Sequence, residues 1–237
     1  MTAAPKSSTG KDELQQIAAR RLFPRLTDPS FLVLRSRREI FKRWMAELGQ
    51  SLVVLDVGGR YQPYRPLLDG RVSHYVAVDI LQTELVDVVG SGDALPFPEN
   101  TFDVVILTQV LEYFPQPQAA VQQIYSVLKP GGKLLMSVPA FAPRFGDDQR
   151  WTFTSKAITE TLALFRAVEI VPELSSVGGL IRTANLAVNT MARYEPVRKA
   201  VQVTICPLLN LLGMGLEELR LTKGDQFTPN YSVRAVK

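Results

Sequence analysis

An α/β fold with a parallel sheet buried on both faces is what this 237-residue sequence predicts, and three observations predict it. Residues 52–59, Leu-Val-Val-Leu-Asp-Val-Gly-Gly, form an apolar run that ends in an acid and two glycines. Residues 74–79, His-Tyr-Val-Ala-Val-Asp, form a second strand-like run with an acid at its end. Phe102 to Leu107 is a third apolar run. Runs this apolar suit strands covered on both faces, as in a parallel sheet.

The elements follow in order. Residues 1–13 are polar and lack the apolar core of a signal peptide, so a short disordered start is expected. Arg20, Arg21, Arg25, Arg35, Arg37, Arg38, Lys42 and Arg43 crowd residues 20–43 against Asp28 and Glu39 alone. Phe31, Leu34, Phe41, Trp44, Met45 and Leu48 recur there at helical spacing. One amphipathic helix with a solvated basic face is therefore expected to pack on the core. An anionic partner, either a phosphate-bearing substrate or a membrane surface, is the sharper reading of that charge. The first strand then runs into a turn where Gly58 and Gly59 remove side chains that would stand against a ligand. Asp79, ending the second strand, is placed to grip ribose hydroxyls as acids do in dinucleotide folds. Gly92-Asp93-Ala94-Leu95-Pro96-Phe97 reads as a turn, and Thr108 to Tyr113 leads into a helix ending at Leu128-Lys129-Pro130-Gly131-Gly132. Lys133 to Val138 is a further buried strand, Leu162 to Glu173 a helix end and a sixth strand, and Asp225 to Lys237 contains a last antiparallel one.

These pieces carry a resemblance. Leu-Asp-Val-Gly-Gly, Val-Ala-Val-Asp, Gly-Asp-Ala-Leu-Pro-Phe, Asn-Thr-Phe-Asp-Val-Val-Ile, Gln-Val-Leu-Glu-Tyr and Leu-Lys-Pro-Gly-Gly-Lys-Leu stand in register over residues 50–140. Together they resemble a class I S-adenosylmethionine-dependent methyltransferase of the broad type 11 group. The resemblance implies a Rossmann-like, seven-stranded, mostly parallel sheet with helices on both faces and an antiparallel last strand. It also implies S-adenosylmethionine as cofactor and S-adenosylhomocysteine as product. Asp56, Gly58 and Gly59 would line the methionine end, Asp79 would bind the ribose, and Ile80 would pack on the adenine. Asp93 would accept from the adenine amino group beside Ala94, and Gln109 and Val110 would close the far wall.

Two departures bear on activity. Arg60 and Gln62 stand where such enzymes carry later glycines, with Tyr61-Gln62-Pro63-Tyr64-Arg65 following, so a reshaped cofactor loop is expected. Tyr113 stands where many relatives have histidine, and a phenol with a pKa near about 10 is a poor base at neutral pH. Glu112, Asp147 and Asp148 are therefore the candidate bases, and Tyr113, Arg150 and Trp151 the candidate acceptor contacts. The Pro-Tyr-Arg turn and Arg150-Trp151-Thr152-Phe153-Thr154 resemble a branch associated with glycan and lipid modification. Trp151 and Phe153 have the plainer reading of loop anchors.

Composition narrows the field. One core domain is expected over 50–237, with residues 1–49 packed on it and a helical, apolar insertion at about 176–220. The lone Cys206 excludes an internal disulfide and a cysteine zinc site, no metal ligands are singled out, and a cytoplasmic location follows as an expectation. Residues 200–216 are uncharged, and no stretch reaches the roughly 18 apolar residues of a spanning helix. A lid-like helical insertion, a dimer surface or an interfacial membrane contact are its readings, with core packing or a lid preferred over the membrane. A nicotinamide dehydrogenase would need the missing third glycine. A nucleic-acid enzyme is disfavoured, because Thr108-Gln109-Val110-Leu111 stands where base-directed methyltransferases carry Asn/Asp-Pro-Pro-aromatic. The expected function is methyl transfer to oxygen of a small-molecule, glycan or lipid-linked acceptor. The alternative is a degenerate scaffold that binds cofactor without turnover.

Overall fold

The computed structural model describes residues 10–141, 143, 147–219 and 224–237. Helices α1 (Lys11–Leu22) and α2 (Phe31–Ala46) precede strands β1 (Leu52–Val57), β2 (Val72–Asp79), β3 (Val88–Val89) and β4 (Phe102–Thr108). Helix α3 (Pro117–Val127), β5 (Leu128–Pro139), α4 (Ser155–Thr161) and β6 (Ala167–Pro172) follow. Three helices, α5 (Ser176–Met191), α6 (Glu195–Val203) and α7 (Ile205–Glu218), come before β7 (Asn230–Val236). The sheet order is β3-β2-β1-β4-β5-β7-β6, with β7 antiparallel to both neighbours and the other pairings parallel. This is the Rossmann-like methyltransferase sheet that the motifs imply. Chain order reverses between β1 and β4, so their carboxyl ends splay apart there and leave a crevice.

Alternation along the strands divides the core. Leu55, Val57, Val105, Leu107, Leu134 and Met136 face α3 and α4, whose Ile124 and Ile158 are fully buried. Val54, Val104, Ile106 and Leu135 face the other way, onto Phe41, Trp44 and Met45 of α2. Helix α2 is thus a structural layer of the sheet, since each such side chain contributes about 1.5–3 kcal/mol on burial.

Three expectations change. The basic stretch forms two helices, because Pro24 and Pro29 fall in the break between α1 and α2. The helix before Pro130 stops at Val127, since Leu128 already pairs with Phe102 and Gly131 takes φ +79° inside the irregular start of β5. Arg37 does not belong to a solvated face. It is buried against Glu173, with Nε–Oε1 at 2.7 Å and Nη2–Oε2 at 2.9 Å, and Ser232 Oγ donates to the same carboxylate at 2.8 Å.

The insertion between β6 and β7 is helical and rests on α2. Asn210 of α7 donates to the carbonyls of Leu26 and Asp28 at 2.7 and 2.9 Å and accepts from Asn185 of α5 at 3.1 Å. By length and composition the run Glu195–Glu218 is long and apolar enough to cross a membrane, which corrects the reading that no stretch is. Counting consecutive apolar residues misses it, because Asn210, Gly213 and Gly215 interrupt the sequence without breaking the helix. Cys206, Asn210 and Gly213 turn inward, while Leu208, Leu211 and Leu212 are exposed.

Candidate cofactor and acceptor site

The turn after β1 is shaped by backbone. Gly58 sits at φ +78°, and its N–H and that of Gly59 donate to the Val78 carbonyl at 2.8 and 3.1 Å. A Cβ at Gly58 would lie 2.3 Å from Val110 Cγ2. The chain at β1 and the chain after β4 therefore meet as closely as a glycine allows. Gln109 opposite also takes a left-handed conformation, φ +55°, and donates its N–H to Ser137 O at 2.9 Å.

Two buried acids flank this turn. Tyr75 donates to Asp56 at 2.6 Å, and burial pushes that carboxyl up to about 7, against the pull of the phenol. Asp79 accepts from Leu81 N at 3.0 Å, and its other oxygen lies 3.2 Å from Arg60 Nε. Ile80 beside it is 60% exposed, an apolar side chain next to an acid at a strand end. Asp93 and Ala94 lie on a turn closed by Ala94 N to Ser91 O at 3.1 Å. The departures in the loop now have a structure. Gln62 occupies φ +51°, the conformation a glycine would take, and its buried amide donates to Leu85 O and accepts from Arg65 at 2.8 Å. The loop is pinned by side chains where flexibility is usual.

A cavity of about 380 Å³ opens from Gly58, Gln109 and Val110. Glu112 and Tyr113, on a short 3₁₀ turn after β4, line it. Glu112 is 3% exposed, its Oε2 meets no hydrogen-bond partner, and burial pushes its pKa up to about 8. Burial and Glu112 also raise the Tyr113 phenol, which keeps it a donor. Asn230 of β7 reaches between Gln109 and Arg37 at the cavity wall.

The other sequence candidates fall elsewhere. Asp56, Gly59, Asp79, Ile80, Asp93 and Ala94 lie outside the cavity lining. Asp147, Asp148, Arg150 and Trp151 also lie outside it, although Gln149 between them lines it. Trp151 anchors its loop, donating Nε1–H to Phe114 O at 2.8 Å, while the Arg150 and Trp151 amides donate to Glu112 O at 2.9 and 3.2 Å. Residues 144–146 of this loop are outside the described residues. Sequence reasoning missed Arg182 and Asn230 as lining residues, and Arg37 as more than surface charge.

The two raised carboxyls set a pH dependence. An unfolded Asp or Glu titrates near about 4, so between there and 7–8 the unfolded chain ionises groups that the fold keeps protonated. Stability is therefore greatest at the acid end of this window and falls as pH rises through about 7 for Asp56 and about 8 for Glu112. The loss reaches at most about 4 kcal/mol for Asp56 and about 5 kcal/mol for Glu112, at about 1.4 kcal/mol per pKa unit. Urea unfolding from pH 5 to 8.5 should show that fall, and Glu112→Gln should flatten its upper part. A wild-type profile that rises over this range would contradict it.

Residues 55–136 match the family described as "Methyltransferase domain". The ubiquinone/menaquinone biosynthesis C-methyltransferase UbiE of Roseobacter denitrificans is 28% identical over 116 residues, covering 42% of this chain and 46% of that protein. The match thus spans about half the length of the curated relative. Among solved structures, the [4+2]-cyclase SpnF superposes with TM-score 0.54 at 18% identity, covering 100% of this chain and 98% of its own. Phosphoethanolamine N-methyltransferase 2 of Haemonchus contortus superposes with TM-score 0.55 at 15% identity, covering 85% and 52%. These superpositions share the fold. Residues 55–136 thus carry the match to a methyltransferase domain, on a fold shared with these enzymes.

Proposed function

We propose that this chain transfers a methyl group from S-adenosylmethionine to an oxygen of an acceptor held in the Glu112 cavity. The observation that carries the reading is the buried Glu112, whose Oε2 meets no hydrogen-bond partner, in the lining of a cavity that Gly58 also lines. The chain fits the cofactor. Gly58 lines the cavity in a left-handed conformation, packed on Val110, and Ile80 offers an exposed apolar face beside the Asp79 acid. Gly58, Asp79, Ile80, Gln109 and Val110 would hold it, with Arg60 drawn off Asp79 as ribose hydroxyls take its place. When bound, S-adenosylmethionine would supply a sulfonium-activated methyl, which an in-line nucleophile takes as S-adenosylhomocysteine leaves.

The chain's own work is positioning and proton removal. Orientation in a confined cavity is worth up to roughly 7–11 kcal/mol of barrier. Glu112 Oε2 takes the proton of an acceptor hydroxyl, and a carboxyl near pKa 8 is well matched to that task at pH 7–8. Methyl transfer from labelled S-adenosylmethionine to glycan and lipid-linked hydroxyl acceptors should rise with pH through about 8. Glu112→Gln should lower kcat by about 10²–10⁴-fold and flatten that rise. Full activity in the variant would remove Glu112 as the base.

Arg60 on Asp79 favours the scaffold reading as the second one. It predicts cofactor binding with no turnover on any acceptor. We place the protein in the cytoplasm, at a membrane surface. Supporting this are the exposed Leu208, Leu211 and Leu212 of α7, near Arg198 and Lys199 of α6. Liposome flotation of the wild type, lost in Leu208→Glu/Leu212→Glu, tests the placement. A lipid-linked acceptor would suit it.

A further inference from the structure

We propose that the cavity holds a phosphate-binding subsite built from Arg21, Arg37 and Arg182, and that the methyl acceptor carries a phosphate. The proposal rests on the methyltransferase reading of the same cavity and narrows its substrate class.

Four guanidinium groups, those of Arg21, Arg37, Arg60 and Arg182, line one cavity of about 380 Å³. The carboxyl that lines it with them is Glu112, and burial keeps that group protonated near neutral pH. Glu173 answers Arg37 from behind the cavity wall, and Asp79 answers Arg60. Arg182, on α5, is 3% exposed. Desolvation first, and Arg37 next, push its pKa down to about 10 despite Glu173 and Asp28. Arg21, at the end of α1, lies with its guanidinium 4.4 Å from the centre of the Tyr61 ring.

Such convergence of like charge is costly until an anion joins it. Planar guanidinium forks match phosphate oxygens in pairs. Ser30, Val33, Leu34 and Arg37 form one face of α2 at spacings of three and four, all on the cavity, and the Ser30 side chain makes no cap bond within the helix. Its hydroxyl adds a neutral donor beside the arginines. A phosphate monoester carries up to two negative charges and suits several arginines, where a carboxylate suits one.

Calorimetric titration with inorganic phosphate at constant ionic strength, with and without saturating S-adenosylhomocysteine, tests the subsite on the full chain. The wild type should bind one phosphate in both states. Arg182→Gln should weaken phosphate binding by at least about 10-fold, with Arg182→Lys between. Surface Arg21→Gln, which leaves the core intact, should weaken it as well. Cofactor affinity should stay within about threefold throughout, since each tenfold is about 1.4 kcal/mol. No saturable phosphate binding, equal binding by all variants, or competition with S-adenosylhomocysteine would overturn the subsite, the last by giving it to the cofactor's carboxylate. Phosphate binding kept while S-adenosylhomocysteine fails to bind would overturn the methyltransferase reading alone. Sedimentation with phosphatidate vesicles, lost in Arg182→Gln, would support the subsite with a lipid as its source. Phosphate binding without vesicle binding would support it with a soluble one.

Discussion

Replacing Gly58 by alanine is expected to weaken S-adenosylhomocysteine binding by about 100-fold, equivalent to about 2.7 kcal/mol. Two physical terms act together. The φ of +78° is a conformation that costs an L-residue about 1–2 kcal/mol. The new Cβ would stand 2.3 Å from Val110 Cγ2, inside any van der Waals contact. Either the turn rotates, which breaks the amide donations to Val78 O, or Val110 is driven away from the far wall. Calorimetry with the folded variant reads the loss directly. Gly58→Ala/Val110→Ala should recover part of it, because it removes the clash and leaves the backbone strain. Unchanged affinity in Gly58→Ala would mean that the cofactor does not lie on this turn.

Glu173→Ala should cost about 3–5 kcal/mol of stability, the usual penalty for stranding one half of a buried ion pair. Both side chains are essentially out of water, and Arg37 gives two hydrogen bonds to the carboxylate. Burial works against the Arg37 charge, and Glu173 more than offsets this, so its pKa is raised. Removing the acid also strips Ser232 of its acceptor. With total stability of about 5–15 kcal/mol expected for such a domain, the variant would be marginal at body temperature. Arg37→Met/Glu173→Leu should regain most of the loss, because replacing both charges removes the stranded one. Urea unfolding of the single and double variants checks both. A single variant as stable as the wild type would contradict the pairing.

The same pair shows what a sequence reveals and what it hides. Strands β1, β4 and β5 were legible because most of their residues are buried on both faces, and β2 from its buried end, Ala77 to Asp79. The Gly58 turn, Asp79, Gln109 and Val110 followed from their places at strand ends. Arg37 was hidden by its company, since seven other cations surround it between Arg20 and Arg43. Its spacing held the signal: Leu34, Arg37, Phe41, Trp44 and Leu48 step by three and four, which puts an arginine on the apolar stripe. The acid that makes this tolerable lies 136 positions away, and one sequence does not reveal such a pairing. Arg182 was hidden for the same reason, on a helix of an insertion whose docking onto α2 depends on Asn210. Glu112 was named from its place after β4, but its protonation follows from burial that one sequence does not reveal, and the amides that donate to its carbonyl belong to Arg150 and Trp151, far along the chain. The Trp151 ring is spent on anchoring its own segment to Phe114.

The most direct test of the central claim is calorimetric titration of S-adenosylhomocysteine into the wild-type chain and into Asp79→Ala. Asp79 would hold the ribose hydroxyls by charge-assisted hydrogen bonds once Arg60 has moved off it. The account predicts binding at about micromolar affinity in the wild type and a loss of at least about 10-fold in the variant, or about 1.4 kcal/mol. A folded wild-type protein that does not bind, or a variant that binds equally well, would contradict it.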